Sequence, residues 1–267
     1  MEDPIIITGT GRSGSTFLQW FLSSHPDIHI SGEETLPWRA MMQFYEQLSK
    51  AGKTGGQFNE TTRKNDREIF NFKPDWEKYR VPHWCGSDEE RTNRIFRKMM
   101  NEFITGYGKK SRRWGFKSVW RCDDPELAEK FFERLFPNVK WVIACRHPFR
   151  SYESEVNNDH PYKDLTHWLR GWVRNIHFAS KENAVLVQVD KMRDASHDQR
   201  TECLQRVLDF VGEKSTPETE QFIKDWPVVN KEKPDNVRRF MVDKEIKNEK
   251  IAFFPHLKEY MSILNYK

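Results

Sequence analysis

Pro4-Ile5-Ile6-Ile7-Thr8 runs straight into Gly9-Thr10-Gly11-Arg12-Ser13-Gly14-Ser15-Thr16, and Phe17, Leu18, Phe21 and Leu22 follow with helical spacing before Pro26. An apolar strand, a Gly/Ser-rich turn and the start of an amphipathic helix aim backbone N–H groups and the positive end of a helix dipole at one point. The first sixteen residues therefore predict a phosphate or sulfate cradle.

Three chemistries use such a cradle. Gly9 and Gly14 have the spacing of a Walker A loop, but Ser15 stands where an NTPase needs a Lys on the β/γ-phosphates. Gly9-x-Gly11-x-x-Gly14 also spells a dinucleotide turn, with Glu33 and Glu34 about twenty residues on, where a ribose-binding acid belongs. Arg12-Ser13 and Ser15-Thr16 make the loop more polar than that turn requires. The third reading is a phosphosulfate loop, in which Arg12 and the hydroxyls join the backbone amides.

A second segment bears on the choice. Val139-Lys140-Trp141-Val142-Ile143-Ala144-Cys145 reads as a strand buried on both faces of a parallel sheet. It ends in Arg146-His147-Pro148-Phe149-Arg150-Ser151-Tyr152-Glu153-Ser154. An Arg at the strand end and a Ser eight residues on, in the following helix, can converge on one anion. Two anion sites on strand ends of one sheet suit a nucleoside with phosphates at both ends.

At this point the chain resembles the sulfotransferase superfamily, whose donor is 3′-phosphoadenosine 5′-phosphosulfate. Gly11, Arg12, Ser13, Gly14, Ser15 and Thr16 match its 5′-phosphosulfate loop, and Arg146 with Ser154 matches its 3′-phosphate site. His25-Pro26-Asp27-Ile28, Gly32-Glu33-Glu34-Thr35 and Leu135-Phe136-Pro137-Asn138 are similar to the tyrosylprotein sulfotransferases. Trp114-Gly115-Phe116-Lys117-Ser118 is instead similar to a motif of bacterial and carbohydrate sulfotransferases. A weaker likeness runs from Val185 to Gly212, where Val189-Asp190 replaces a common Tyr-Glu.

The resemblance implies a donor, adenosine 3′,5′-bisphosphate as product, and a hydroxyl-bearing acceptor that the motifs do not name. Sulfuryl transfer needs a base for the acceptor proton and cations for charge growing on the leaving oxygen. The tyrosylprotein pattern assigns the base to Glu34. One extra residue after His25-Pro26 keeps Glu33 open. Lys117 is the expected second catalytic cation beside Arg12, with Arg121 as the alternative when counting back from Leu135-Phe136-Pro137-Asn138. The late basic run Lys231 to Arg239 is expected to close over the nucleotide. No metal is required, because the cations are side chains. The competing functions are a P-loop small-molecule kinase, with Val185-Leu186-Val187-Gln188-Val189-Asp190 as its Walker-B-like strand, and a catalytically silent nucleotide-binding module.

Composition agrees with an enzyme domain. A chain of 267 residues with no evident linker or repeat reads as one α/β domain, residues 1–267. The hydrophobic fraction is 37%, but 19 Phe and 10 Trp supply large buried areas per residue. A net charge of +4 gives no argument for nucleic acid, and Lys109-Lys110-Ser111-Arg112-Arg113 reads as a solvated turn. Cys85, Cys122, Cys145 and Cys203 lack zinc or CxxC spacing, which predicts a reduced, metal-free protein. No signal-peptide core and no run of eighteen apolar residues occurs. The expectation is therefore a soluble, cytoplasmic protein without membrane insertion.

The alternation of elements predicts a P-loop-like, doubly wound parallel sheet flanked by helices, with ligands at the strand carboxyl ends. Strands are predicted at 4–9, around 27–31, and at 114–118, 139–145 and 184–189. Helices are predicted at 91–107 and over Thr201 to Val211. Residues 40–113 read as a helical and irregular insertion that covers the acceptor site.

Overall fold

The computed structural model describes residues 3–32, 40–49, 89–105, 111–118, 125–158, 164–226 and 242–266. Five strands are present: β1 (Ile5–Gly9), β2 (Ile28–Ser31), β3 (Arg113–Lys117), β4 (Lys140–Cys145) and β5 (Ala184–Gln188). They form one parallel sheet in the order β2-β3-β1-β4-β5. The chain therefore fills one side of β1 first, with β2 at the edge and β3 between them, and then adds β4 and β5 on the other side. The switch point of an open α/β sheet lies where the order reverses, at the carboxyl end of β1. The phosphate loop begins there.

Every residue of β1 is buried, and its side chains alternate between two apolar layers. On one face Ile6, Trp114, Phe116, Trp141 and Ile143 pack against α4 (Pro125–Leu135) through Phe131 and Phe132. Two further helices, α2 (residues 40–49) and α3 (Glu89–Thr105), add Met42, Tyr45, Phe96 and Met100 to that layer. On the other face Ile5, Ile7, Val142, Ala144 and Val187 meet α1 (Ser15–Ser24) and α8 (His197–Val211). The residues at helical spacing after the loop behave as their pattern requires: Leu18, Phe21 and Leu22 are buried and Phe17 lies at the edge.

A third cluster sits beyond the carboxyl end of β4. It joins Cys145 to α5 (Pro148–Val156), α6 (Leu165–Phe178) and two later helices. These are α10 (Lys244–Phe253) and α11 (Pro255–Ile263), which follow the short α7 (Val189–Asp194) and α9 (Pro217–Asp225). Trp168, Trp172, Leu257 and Met261 form its centre. This cluster backs the turn that carries Arg146.

The predicted boundaries shift by one residue at each strand, by two at the start of the helix expected over 91–107, and by four at the start of the helix expected from Thr201. β5 stops at Gln188, because Val189 starts a helix that turns Asp190 back toward the His147 amide. The helix expected from Thr201 begins at His197, where Ser196 and Gln199 form a reciprocal capping box. Inside the insertion, the described helices α2 and α3 are part of the core beneath the sheet. Residues 50–88 of the insertion lie outside the described residues.

Candidate active site

The loop leaves β1 at Gly9 and becomes α1 at Ser15, with Gly14 as the helix cap at φ 94°. A cap without a side chain puts no oxygen over the first turn, so the helix start keeps its positive end available to an anion. Gly14 is needed for space as well as for its backbone, since a Cβ there meets the Val189 side chain. Arg12 adopts a left-handed conformation at φ 58°, unusual for a non-glycine residue and of a kind that gathers at ligand sites.

Side chains from α5 hold the loop. Ser151, fully buried, donates its hydroxyl to the Gly11 carbonyl at 2.8 Å. Arg12 Nε donates to Ser154 Oγ at 3.5 Å, and Arg146 Nη1 donates to the Arg12 carbonyl at 3.4 Å. The two segments that sequence reasoning read as separate anion sites therefore touch. Lys117, the last residue of β3, is 7% exposed and donates from Nζ to Thr16 Oγ1 at 2.9 Å. Arg12, Lys117 and Arg146 thus converge on one loop from three strand ends.

The hydroxyls divide. Thr16 is exposed and already touches Lys117, whereas Ser13 and Ser15 are buried, with Ser13 turned under the loop near Gly9. Thr8 and Ser118, at the ends of β1 and β3, are also buried. Among the described residues, Thr8 Oγ1, Ser13 Oγ and Ser118 Oγ have no hydrogen-bond partner. Buried hydroxyls of this kind need a partner, and their cluster at the strand ends marks this rim as polar by construction.

Glu33, Glu34, Arg121 and the run from Lys231 to Arg239 lie outside the described residues. β2 ends at Ser31, and it pairs with β3, the strand that carries Lys117.

Several features of the site were not read from the sequence. Ser151 is a loop anchor whose only signal was its place three residues before Ser154. Glu155 is a buried carboxylate whose Oε2 lies 2.8 Å from where a Cβ on Gly11 would sit, so a side chain at that position would have to displace the carboxylate. Phe17 stacks on Trp226, which places an aromatic pair directly after the loop. Burial pushes the Cys145 thiol up to about 12, and burial, with Cys145 and Asp190 beside it, pushes the Tyr266 phenol up as well. A cavity of about 830 Å³ adjoins this region. It shares His147 and Asp190 with the Arg146 turn and takes its other walls from β5, α7, α8 and Tyr266.

A family comparison decides what the loop belongs to. The sequence profile described as "Sulfotransferase family" matches residues 4–217, from β1 to the first residue of α9. This chain belongs to the sulfotransferase family. Three solved structures share the fold at low identity. A sulfotransferase domain from the curacin biosynthetic pathway is 19% identical, with TM-score 0.53 over 100% of this chain and 99% of that one. A sulfotransferase from Alicyclobacillus acidocaldarius is 16% identical, with TM-score 0.52 over 100% and 97%. The sulfotransferase domain of the Synechococcus PCC 7002 olefin synthase is 16% identical, with TM-score 0.50 over the same shares. No curated protein sequence matches the chain. The parallel sheet flanked by helices is the sulfotransferase fold, and family membership makes the chain a transferase. Among the described residues no helix is long and apolar enough to cross a membrane.

Proposed function

We propose that the protein moves a sulfuryl group from 3′-phosphoadenosine 5′-phosphosulfate to an acceptor hydroxyl, with residues 1–267 acting as one catalytic domain. The observation that carries this reading is the convergence of Arg12, Ser154 and Arg146. Arg12 reaches Ser154, and Arg146 reaches the Arg12 carbonyl, so a loop suited to a 5′-phosphosulfate adjoins a pair suited to a 3′-phosphate. A donor with anionic groups at both ends of one nucleoside fits that spacing better than a single phosphate chain does.

In the proposed reaction the acceptor oxygen attacks sulfur in line with the bridging oxygen. The new O–S bond forms as the S–O bond to the 5′-phosphate breaks, and adenosine 3′,5′-bisphosphate leaves with that electron pair. Glu34 takes the acceptor proton, with Glu33 as its rival. Lys117 and Arg12 offset charge on the departing oxygen, a role suited to donors already in place before the reaction. Gly11, Ser13, Gly14, Ser15 and Thr16 supply the loop, and Arg146 and Ser154 bind the 3′-phosphate. Phe17 and Trp226 offer an aromatic surface for the base if the rings part to admit it. The acceptor class stays open between peptide tyrosine, carbohydrate and small alcohols or phenols, and residues 40–113 contribute its cover.

The kinase reading loses support at Asp190. Its Oδ2 accepts from the His147 amide at 3.0 Å and its Oδ1 from Tyr266 at 2.9 Å, so the carboxylate that would serve a magnesium ion is engaged on both oxygens. Incubation with ³⁵S-labelled donor and a panel of hydroxyl acceptors tests the proposal, since transfer of label to any acceptor supports it. If binding of magnesium ATP exceeds that of adenosine 3′,5′-bisphosphate in calorimetry, the proposal fails.

A further inference from the structure

The peptide unit between Arg146 and His147 is held at both of its polar ends by side chains from other elements. Its carbonyl accepts from Trp172 Nε1 of α6 at 2.9 Å, and its N–H donates to Asp190 Oδ2 of α7 at 3.0 Å. Asp190 is itself fixed, because Tyr266 donates its hydroxyl to Asp190 Oδ1 at 2.9 Å. The Tyr266 ring lies against His147, with centroids 5.3 Å apart, and under the Lys191 ammonium at 5.6 Å. Gln188 Nε2 fastens the neighbouring Leu264 carbonyl at 2.9 Å. Three segments far apart in sequence thus meet on a single peptide plane.

That plane sets where Arg146 starts. The guanidinium sits at the end of a long flexible side chain, and its approach to a phosphate depends on the direction in which the backbone launches it. A turn directly after a strand, with a proline two residues on, has no ladder bonds of its own to fix that direction. We propose that Trp172, Asp190 and Tyr266 form a clamp that orients Arg146, and that this clamp, closed by Tyr266, sets selectivity for a nucleotide bearing a 3′-phosphate. The three are positioning residues, since they act through the 146–147 peptide. The inference rests on Arg146 being the 3′-phosphate ligand, as argued above.

Calorimetry on the full chain with adenosine 3′,5′-bisphosphate and with adenosine 5′-phosphate provides the test. The wild type should favour the bisphosphate by roughly 10²-fold, the scale of charge-assisted bonds to one phosphate, and Arg146→Ala should remove that preference. Asp190→Ala and Trp172→Phe should each lower the preference about 10-fold, while affinity for adenosine 5′-phosphate stays within about twofold. Tyr266→Phe is nearly isosteric and should lower it about threefold, which keeps the test available if Asp190→Ala does not fold. Asp190→Asn should recover only part of the preference, because its oxygen can still accept from His147 while its NH2 group, turned toward Tyr266, meets the Lys191 N–H that Asp190 Oδ1 accepts at 3.1 Å.

An unchanged preference in Trp172→Phe and Tyr266→Phe overturns the clamp while leaving Arg146 as the ligand. So does a parallel loss of affinity for both nucleotides with a lowered Tm, which marks a structural role only. A wild type that shows no preference, like Arg146→Ala, overturns the 3′-phosphate assignment and the clamp with it.

Discussion

Lys117 Nζ donates to Thr16 Oγ1 at 2.9 Å, linking the last residue of β3 to the second residue of α1. Neighbouring parallel strands β1 and β3 pair Ile7 with Lys117, so the ammonium leaves the sheet one strand away from the loop it touches. At 7% exposure it is largely shielded from water, and a charge in that setting acts more strongly on a neighbour than it does in solvent. The same hydrogen bond gives the ammonium a defined resting place before any donor arrives.

Lys117 and Arg12 should separate in kinetics. Arg12 is exposed and shares contacts with Ser154 and Arg146, so Arg12→Ala should weaken adenosine 3′,5′-bisphosphate binding as well as slow turnover. Lys117→Ala should act mainly on kcat, by about 10²–10³, as for a lost oxyanion donor. Arg121→Ala is the comparison. Normal kcat in Lys117→Ala beside an inactive Arg121→Ala transfers the role to Arg121.

The base assignment is read from two conservative variants. Glu34→Gln should leave nucleotide affinity nearly intact and lower kcat by roughly 10²–10⁴, the range for a lost general base. Glu33→Gln should change kcat much less. Reversed behaviour in steady-state assays moves the base to Glu33 and shows that the extra residue after Pro26 shifts the motif.

The parts of this molecule that were legible in the sequence are those written by local rules. Ile5 to Thr16 carried its own strand, turn and helix signals, and Val139 to Arg146 its own buried strand, so the cradle and Arg146 could be placed without coordinates. Lys117 was legible because it ends a short apolar strand. Ser151, Trp172 and Tyr266 were not, because their roles come from distant packing. Nothing local distinguishes Tyr266 from any aromatic near a chain end; only the sheet brings it to Asp190, 76 residues away. Asp190 had a role in the sequence only under the competing kinase reading, as the end of a Walker-B-like strand, since the sequence did not show that both of its oxygens face protein donors.

Cys145 should resist modification. Its thiol is buried and pushed up to about 12 by desolvation, so little thiolate forms at pH 8. Brief iodoacetamide treatment of the native protein, followed by peptide mass spectrometry, should label Cys203, which is half-buried, well ahead of Cys145. Unfolding in guanidinium should remove the difference. The linked effect on stability has a definite sign. The contribution from keeping this thiol neutral is full below its ordinary value of 9.0 and is lost as pH rises toward about 12. Tm should therefore fall over that window, and by less in Cys145→Ser.

Gly14→Ala and Gly212→Ala separate backbone conformation from space. Both glycines have left-handed φ, at 94° and 81°, so either alanine costs about 1–2 kcal/mol in conformation alone. At Gly212, which caps α8, an added Cβ meets nothing within 4 Å, so the cost should stop there. At Gly14 the Cβ lies 2.9 Å from Val189 Cβ and closer to its methyl, and this contact adds about 1–3 kcal/mol of overpacking. Relief requires α1 or α7 to move, and α1 carries the helix start that faces the anion. Gly14→Ala should therefore lower Tm more than Gly212→Ala and also lose most nucleotide affinity, whereas Gly212→Ala should bind normally. Shortening the opposing residue in Gly14→Ala/Val189→Ala should recover part of both losses, because it removes the collision and leaves only the φ cost. Equal Tm losses in the two single variants, with binding intact in each, would show that the Gly14–Val189 contact does not shape the loop.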